Sequence, residues 1–346
     1  MTVLVTGAAG RIGRHVVDGY LAAGAAVRAL VLPGDPGLGH LQSLGVEVAT
    51  GRLEDRAAVA RAADRVDVVC HLAAALTSRG GTDDEFFASN LAGTYALLQA
   101  LRAYSPDLRR FVYASSDAVY LAGPATGATY LPIDENHPRQ PGSVYGGTKL
   151  AAEELSLAFM RTYGIPVSIM RPSATADASE LLDETGPFGR RVFVRGMLGH
   201  IERQADPGEA GRELLAALRS IDDGRERLYV LADLEGRSST STLNDARDAA
   251  DGMRRIAASD EALGGTFNIG PAGPYAELYL AEYIGERLGL PVSVIRTRHA
   301  RPDWIISSAK AATVLGYAPT RTVFEMVDEA LETRGAKVPL PQEANR

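Results

Sequence analysis

The sequence is poor in the residues that carry several common chemistries. One cysteine, Cys70, stands among 346 residues, so no internal disulfide can form, which fits a reducing, cytoplasmic setting. It lies in the apolar run "VDVVCHLAAA" and reads as a core thiol. The six histidines show no metal-ligand spacing and no cysteine cluster accompanies them, so no metal is expected. No apolar stretch approaches the roughly 20 residues that span a bilayer. A first strand beginning at Thr2 leaves no room for a secretory signal peptide. Blocks of like charge are missing too. Arginines and acids are interleaved, the formal net charge is −7, and no basic stripe offers a surface to nucleic acid. No serine sits in a G-x-S-x-G elbow. The single tryptophan, Trp304, and the spaced tyrosines Tyr275, Tyr279 and Tyr283 read as packing.

What the chain does have is alternation. "TVLVT" (2–6), "AVRALV" (26–31), "VEVAT" (46–50), "VDVVCHL" (66–72), "RRFVYAS" (109–115) and "IPVSIMR" (165–171) are apolar strand patterns. Helical patterns lie between them: 11–24 with Gly24 as C-cap, 55–64, 83–104, and a run from about Gly142 to Tyr163. Buried strands alternating with helices predict an α/β fold with a Rossmann-like, doubly wound parallel sheet covered on both faces. After Arg171 the pattern changes. Residues 174–225 are rich in charge and glycine, "ERLYVLAD" (226–233) and "GTFNIG" (265–270) are strand-like, and 244–259 is a helix with Asn244 as N-cap. The expected division is a dinucleotide-binding domain at 1–172 plus parts of 225–270. A smaller, discontinuous substrate lobe takes 173–224 and 271–346.

The segment "TGAAGRIG" (6–13) follows the first strand and opens the first helix. Gly7, Gly10 and Gly13 permit a tight turn, close approach of a pyrophosphate to the backbone, and helix-on-strand packing. The helix N-terminus offers free N–H groups and partial positive charge to phosphates. Arg11, inside the turn, can reach a phosphate. Selectivity between NAD and NADP rests on the end of the second strand, which reads "AVRALVLPGD". Val31 and Leu32 fill the places where an acid or an arginine would decide it. Asp35 is an acid a few residues on, and Arg28 belongs to the strand. NAD is placed ahead of NADP.

Tyr145 and Lys149 stand four residues apart in "YGGTK", on one face of a helix. A phenol titrates near ~10 in water, too high for a base at neutral pH, and a nearby ammonium favours the phenolate. Such a phenolate takes a proton from a substrate hydroxyl while hydride leaves the same carbon for a nicotinamide. "YASSDAVY" (113–120) ends the fifth strand, facing the cleft of an open α/β sheet, and supplies a hydroxyl for the reacting oxygen. Ser116 is assigned that place, with Ser115 as the fallback. "GRSSTST" (236–242) reads as a turn or as pocket lining, and His71 as a residue that orients backbone.

These segments together resemble an extended short-chain dehydrogenase/reductase of the NAD-dependent epimerase/dehydratase kind. The resemblance spans nearly the whole chain. It rests on "TGAAGRIG", "HLAA" (71–74), Asn90 in "NLAGT", "YASSDAVY", "YGGTK", "RPS" (171–173), "GTFNIG" and "RPDWIISSAKAATVLGY" (301–317). It implies Ser116, Tyr145 and Lys149 as a catalytic triad. It implies cofactor contacts from Gly7, Ala9, Gly10, Arg11, Ile12, Gly13, Leu53, Leu72, Ala73, Ala74, Asn90, Tyr145, Lys149 and Pro172. Substrate contacts would come from Ala75, Ser116, Asp117, Ala118, Ser173 and Arg301. A homodimer through the two helices containing Asn90 and Lys149 is implied as well.

This chain also departs from that pattern. Arg52 stands where an acid usually holds adenine. Sugar-nucleotide 4,6-dehydratases carry an Asp-Glu pair after the catalytic hydroxyl; here it is Asp117-Ala118, without the glutamate base. "RPSATADASELLDETGPFGRR" (171–191) lacks the Asn-x-Tyr-Gly-Pro that often follows Arg-Pro, and the spacing from "RPD" to "SAK" is short for a diphosphate clamp at Arg301. The expected activity is a sugar or sugar-nucleotide epimerase that keeps its nicotinamide cofactor. The alternatives are a net dehydrogenase or carbonyl reductase of a non-nucleotide substrate, and a non-catalytic nucleotide sensor.

Overall fold

The computed structural model describes residues 1–76, 80–120 and 127–337, with the side chains of 335–337 outside the description. The first strands and helices follow the apolar pattern. They are β1 (Thr2–Thr6), α1 (Arg11–Ala22), β2 (Ala26–Val31), α2 (Leu38–Ser43), β3 (Glu47–Thr50), α3 (Arg56–Ala62) and β4 (Val68–His71). A short helix α4 (Asp83–Glu85) continues through a π-helical stretch, Phe86–Gly93, into α5 (Thr94–Tyr104). Then come β5 (Arg110–Ala114), α6 (Val144–Tyr163) and β6 (Val167–Pro172). With Thr266–Ile269 these strands build one seven-stranded sheet, whose order from that last strand is β6, β5, β4, β1, β2, β3. Its strand pairs are parallel.

Period-two alternation explains how both faces are covered. Val3, Val5, Cys70, Val112 and Met170 face one apolar cluster, where α1 (Val16, Val17) and the helix Ala246–Ala258 pack. Leu4, Val69, Phe111, Tyr113 and Ile169 face the other, with α3, α5 and α6. Each fully buried aliphatic side chain contributes ~1.5–3 kcal/mol. Helix ends follow local chemistry. Ser143 caps α6 by accepting from the Gly146 amide at 3.1 Å, and Gly164 stops it at φ 75°. The cap of Ala246–Ala258 is Asp245, not Asn244: the Asp245 carboxylate accepts from the Arg247 amide, while Asn244 lies in a short strand.

The chain divides into two units. The first comprises 1–175, 242–272 and 304–320, and holds the sheet. The second comprises 176–241, 273–303 and 321–346. Leu228–Ala232, grouped above with the dinucleotide-binding domain, instead pairs in parallel with Val292–Arg296 inside the second unit. There Val194, Met197, Leu218, Tyr229 and Ile295 form a core. Among the described residues no helix is long and apolar enough to cross a membrane.

Candidate active site

The glycine turn is built against the loop that follows β4. Gly7 has φ 68°, and a Cβ there would come within 2.8 Å of the Ala73 amide nitrogen. A Cβ on Gly13 would collide with the Gly7 carbonyl oxygen. These are the close approaches that let helix α1 begin against the end of β1. Its first-turn amides need partners that the helix itself cannot supply. Gly13→Ala is therefore expected to destabilise the protein by about 1–3 kcal/mol, as overpacking does. Calorimetry should show this as a Tm lowered by several degrees.

A buried relay fixes the loop beneath. The Thr6 hydroxyl accepts from the amides of Leu72 (3.2 Å) and Ala73 (3.1 Å) and meets His71 Nδ1 at 2.7 Å. His71 Nε2 meets the Thr94 hydroxyl at 2.9 Å, and that hydroxyl donates to the Asn90 carbonyl at 2.7 Å. Thr94 has one proton and gives it to Asn90, so Nε2 is the protonated nitrogen and Nδ1 accepts from Thr6. Burial, followed by the Lys149 charge, pushes His71 down to about 3, so the ring stays neutral at physiological pH. Its two ring partners are hydroxyls, Thr6 and Thr94, so it touches the backbone only through the amides that Thr6 takes. Asn90, counted above among the cofactor contacts, turns its amide inward. It accepts from the Ala75 amide (2.8 Å), donates to the Ala75 carbonyl (3.2 Å) and reaches the Thr148 hydroxyl (3.5 Å). Leu53 is likewise buried, packed behind Gly93. Leu72, Ala73 and Ala74 are half-buried on the loop beside the turn, and Ala9 lies against Gly37.

Ser116, Tyr145 and Lys149 converge at the C-terminal end of β5. Ser116 caps a short 3-10 turn; its hydroxyl takes the Ala118 amide at 3.1 Å and donates to Asp117 Oδ1 at 3.1 Å. Ser115, the fallback, is buried and its hydroxyl has no hydrogen-bond partner among the described residues. Lys149 is buried one turn beyond Tyr145, and its ammonium donates to the Ala114 carbonyl at 2.7 Å. Desolvation brings it down to about 7, against the opposing charge of Glu153. Glu153 is itself held by Arg171 at 2.8 and 2.7 Å, a buried bidentate pair joining α6 to β6.

The phenol is not lowered here. Burial pushes Tyr145 up to about 12, opposed by the Ser116 hydroxyl and reinforced by the Asp117 charge. The expectation that Lys149 alone makes Tyr145 basic fails, because burial penalises a phenolate and an ammonium alike and the ammonium is directed at a carbonyl.

Pro172 ends β6, and Ser173 is buried, its amide donating to the Ile269 carbonyl at 2.9 Å. In the second unit Arg301 pairs with Glu277 at 3.5 Å. Arg191, which the sequence reading passed over, is held low by burial and by the Arg301 charge, with Tyr275 and Glu277 beside it. No local motif marks that grouping.

The sheet order and the glycine turn are those of the extended short-chain dehydrogenase/reductase class. The chain belongs to the NAD dependent epimerase/dehydratase family, whose model matches residues 3–270. A short-chain dehydrogenase/reductase superfamily protein from Agrobacterium tumefaciens, solved with bound NAD, is 33% identical with a TM-score of 0.85, covering 97% of this chain and 98% of that one. A UDP-glucose 4-epimerase of Halalkalibacterium halodurans is 27% identical over 95% of this chain and 94% of its own. A ketoreductase of Stigmatella aurantiaca, acting on a farnesyl dihydroquinoline oxide, is 38% identical over 45% of each chain. Several of the curated relatives are matched over only about half their length.

Proposed function

We propose that the chain binds NAD at the glycine turn and oxidises a secondary alcohol, or in reverse reduces the corresponding ketone, with Ser116, Tyr145 and Lys149 managing the proton. The observation that carries this is the convergence at the end of β5: Ser116 follows the strand, and the buried lysine one helical turn beyond Tyr145 donates to the strand's last carbonyl, Ala114. The turn suits a dinucleotide by its place, between β1 and the start of α1, with Gly7 and Gly13 allowing backbone approaches that a Cβ would block. When bound, the nicotinamide supplies the hydride acceptor and a positive charge. Tyr145 exchanges the proton with the substrate oxygen, Ser116 holds that oxygen, and Lys149 offers its ammonium to ribose hydroxyls.

NAD rather than NADP is supported by Asp35. Its carboxylate accepts from the Gly37 amide at 2.8 Å, and Gly37 abuts Ala9 of the glycine turn. A 2′-phosphate would meet that negative charge. NAD is therefore expected to bind at least ~10-fold tighter than NADP, and Asp35→Asn to shrink the ratio by about that factor. Calorimetric titration with both dinucleotides checks it, and an unchanged ratio sinks the assignment.

Redox-neutral epimerisation of a sugar nucleotide is our first reading, supported by the UDP-glucose 4-epimerase that matches along almost its full length. A net ketoreductase is the second, supported by the 38% identity to one over the N-terminal segment it shares. UDP-glucose and NAD added to the purified chain separate them. Inversion at the sugar carbon without accumulation of reduced nicotinamide supports the first; stoichiometric accumulation supports the second. Neither change argues against a sugar-nucleotide substrate.

A further inference from the structure

The Lys149 ammonium meets two neighbouring residues of one strand. It donates to the Ala114 carbonyl at 2.7 Å, and its nitrogen lies over the ring of Tyr113, 5.1 Å from the centroid. Strand alternation sets this up. Phe111 and Tyr113 point to the face of the sheet that α6 covers, and Ala114 ends the strand just beyond them. The Tyr113 ring is fully buried and braced from β4, where His71 stands opposite it in the register with ring centroids 5.6 Å apart. The Tyr113 hydroxyl has no hydrogen-bond partner among the described residues. What this tyrosine offers Lys149 is therefore the electron-rich face of its ring.

We propose that Tyr113 is a positioning residue for Lys149, its ring face holding the ammonium in place at the end of β5. This rests on the Ser-Tyr-Lys reading above, in which that ammonium serves the cofactor's ribose. An ammonium has three N–H donors, and burial withdraws water from those that the Ala114 carbonyl does not take. An aromatic face attracts the cation without competing for a fixed hydrogen-bond direction, so the charge is held while a donor stays free for a ligand.

Four groups face Lys149. They are the Tyr113 ring and the Ala114 carbonyl on β5, the neutral His71 on β4, and Glu153 on α6, whose carboxylate Arg171 also holds. Tyr145 stands one turn earlier on α6. Desolvation brings the ammonium down to about 7, with the Glu153 charge opposing it. The ring face acts in the same direction as Glu153, because it too favours the charged form.

The chain has only three lysines, Lys149, Lys310 and Lys337. Labelling lysine with ¹³C at Cε therefore gives few signals, and the one missing from Lys149→Met is assigned. In the purified full chain without dinucleotide its midpoint is expected at about 7. Tyr113→Phe keeps the ring face and removes an unpartnered hydroxyl, so the midpoint should stay within about 0.3 pH unit. Phenylalanine analogues with one, two or three ring fluorines, placed at position 113, keep the size and drain the face of negative charge. The midpoint should then fall stepwise, by about one pH unit in all. The limb of the kcat/KM profile that belongs to Lys149, which reports the free enzyme, should move with it. A midpoint that ignores the fluorines overturns the inference and leaves the triad reading intact. A midpoint that falls while the kcat/KM profile stays still would instead remove Lys149 from the reaction, and Tyr113 with it.

Discussion

Replacing Tyr145 with phenylalanine is expected to lower kcat on the order of 10³-fold, within the range that a positioned acid or base supplies. Dinucleotide affinity should stay within about threefold, because the affected group is a hydroxyl on α6 and not part of the glycine turn. Stability should change little, since one hydroxyl hydrogen bond contributes ~1 kcal/mol and Ser116 keeps its bonds to the Ala118 amide and to Asp117. Turnover is followed by reduced-nicotinamide absorbance and by sugar-carbon inversion. Activity within tenfold of the parent would show that another group moves the proton. The Gly13→Ala change acts on the opposite function, disturbing the turn while leaving the phenol in place, so the two variants separate binding from chemistry.

Lys149→Met is expected to abolish turnover and yet to stabilise the fold, in a pH-dependent way. The ammonium is buried and titrates at about 7, well below its ordinary value of 10.5. Between those two values the unfolded chain binds a proton that the folded chain does not, so stability rises with pH across that window. Below about 7 both states are protonated and the full penalty of a buried cation is present. Its size is on the order of 2–4 kcal/mol, offset by ~1 kcal/mol for the lost bond to the Ala114 carbonyl. Methionine carries no charge to bury. Its advantage in Tm over the parent should therefore be largest near pH 6 and shrink toward pH 10. Thermal melts across that range test it, and an advantage independent of pH would mean that Lys149 binds its proton alike in the folded and unfolded chain. A fold that tolerates a destabilising group at this position has a functional reason to keep it.

Much of the first unit was legible beforehand because its signals are local. Strand periodicity, the glycine spacing after β1 and the i, i+4 placement of Tyr145 and Lys149 each depend on residues close in sequence. Choosing Ser116 over Ser115 was argued from position, and the structure gives the two different surroundings: the Ser116 hydroxyl donates to Asp117, while the Ser115 hydroxyl is buried without a partner among the described residues. The errors are of another kind. Leu228–Ala232 looks like any buried strand, and nothing within it says which strand it will pair with. Asn244 and Asp245 are both good caps, and only the helix start chose between them. Trp304 reads as packing because an indole always does, until its N–H has a partner.

The amino-acid order alone determined the parallel sheet, the glycine turn after β1 and the i, i+4 pairing of Tyr145 with Lys149, since each is written in short-range spacing. Tertiary structure alone decided the proton affinities of those side chains. Tyr145 is high and Lys149 low because both lost water on folding, and the inward amide of Asn90 and the Asp117–Trp304 contact depend on segments distant in the chain. Desolvation and long-range hydrogen bonds are properties of what surrounds a group, and those surroundings exist only once the chain has closed around it.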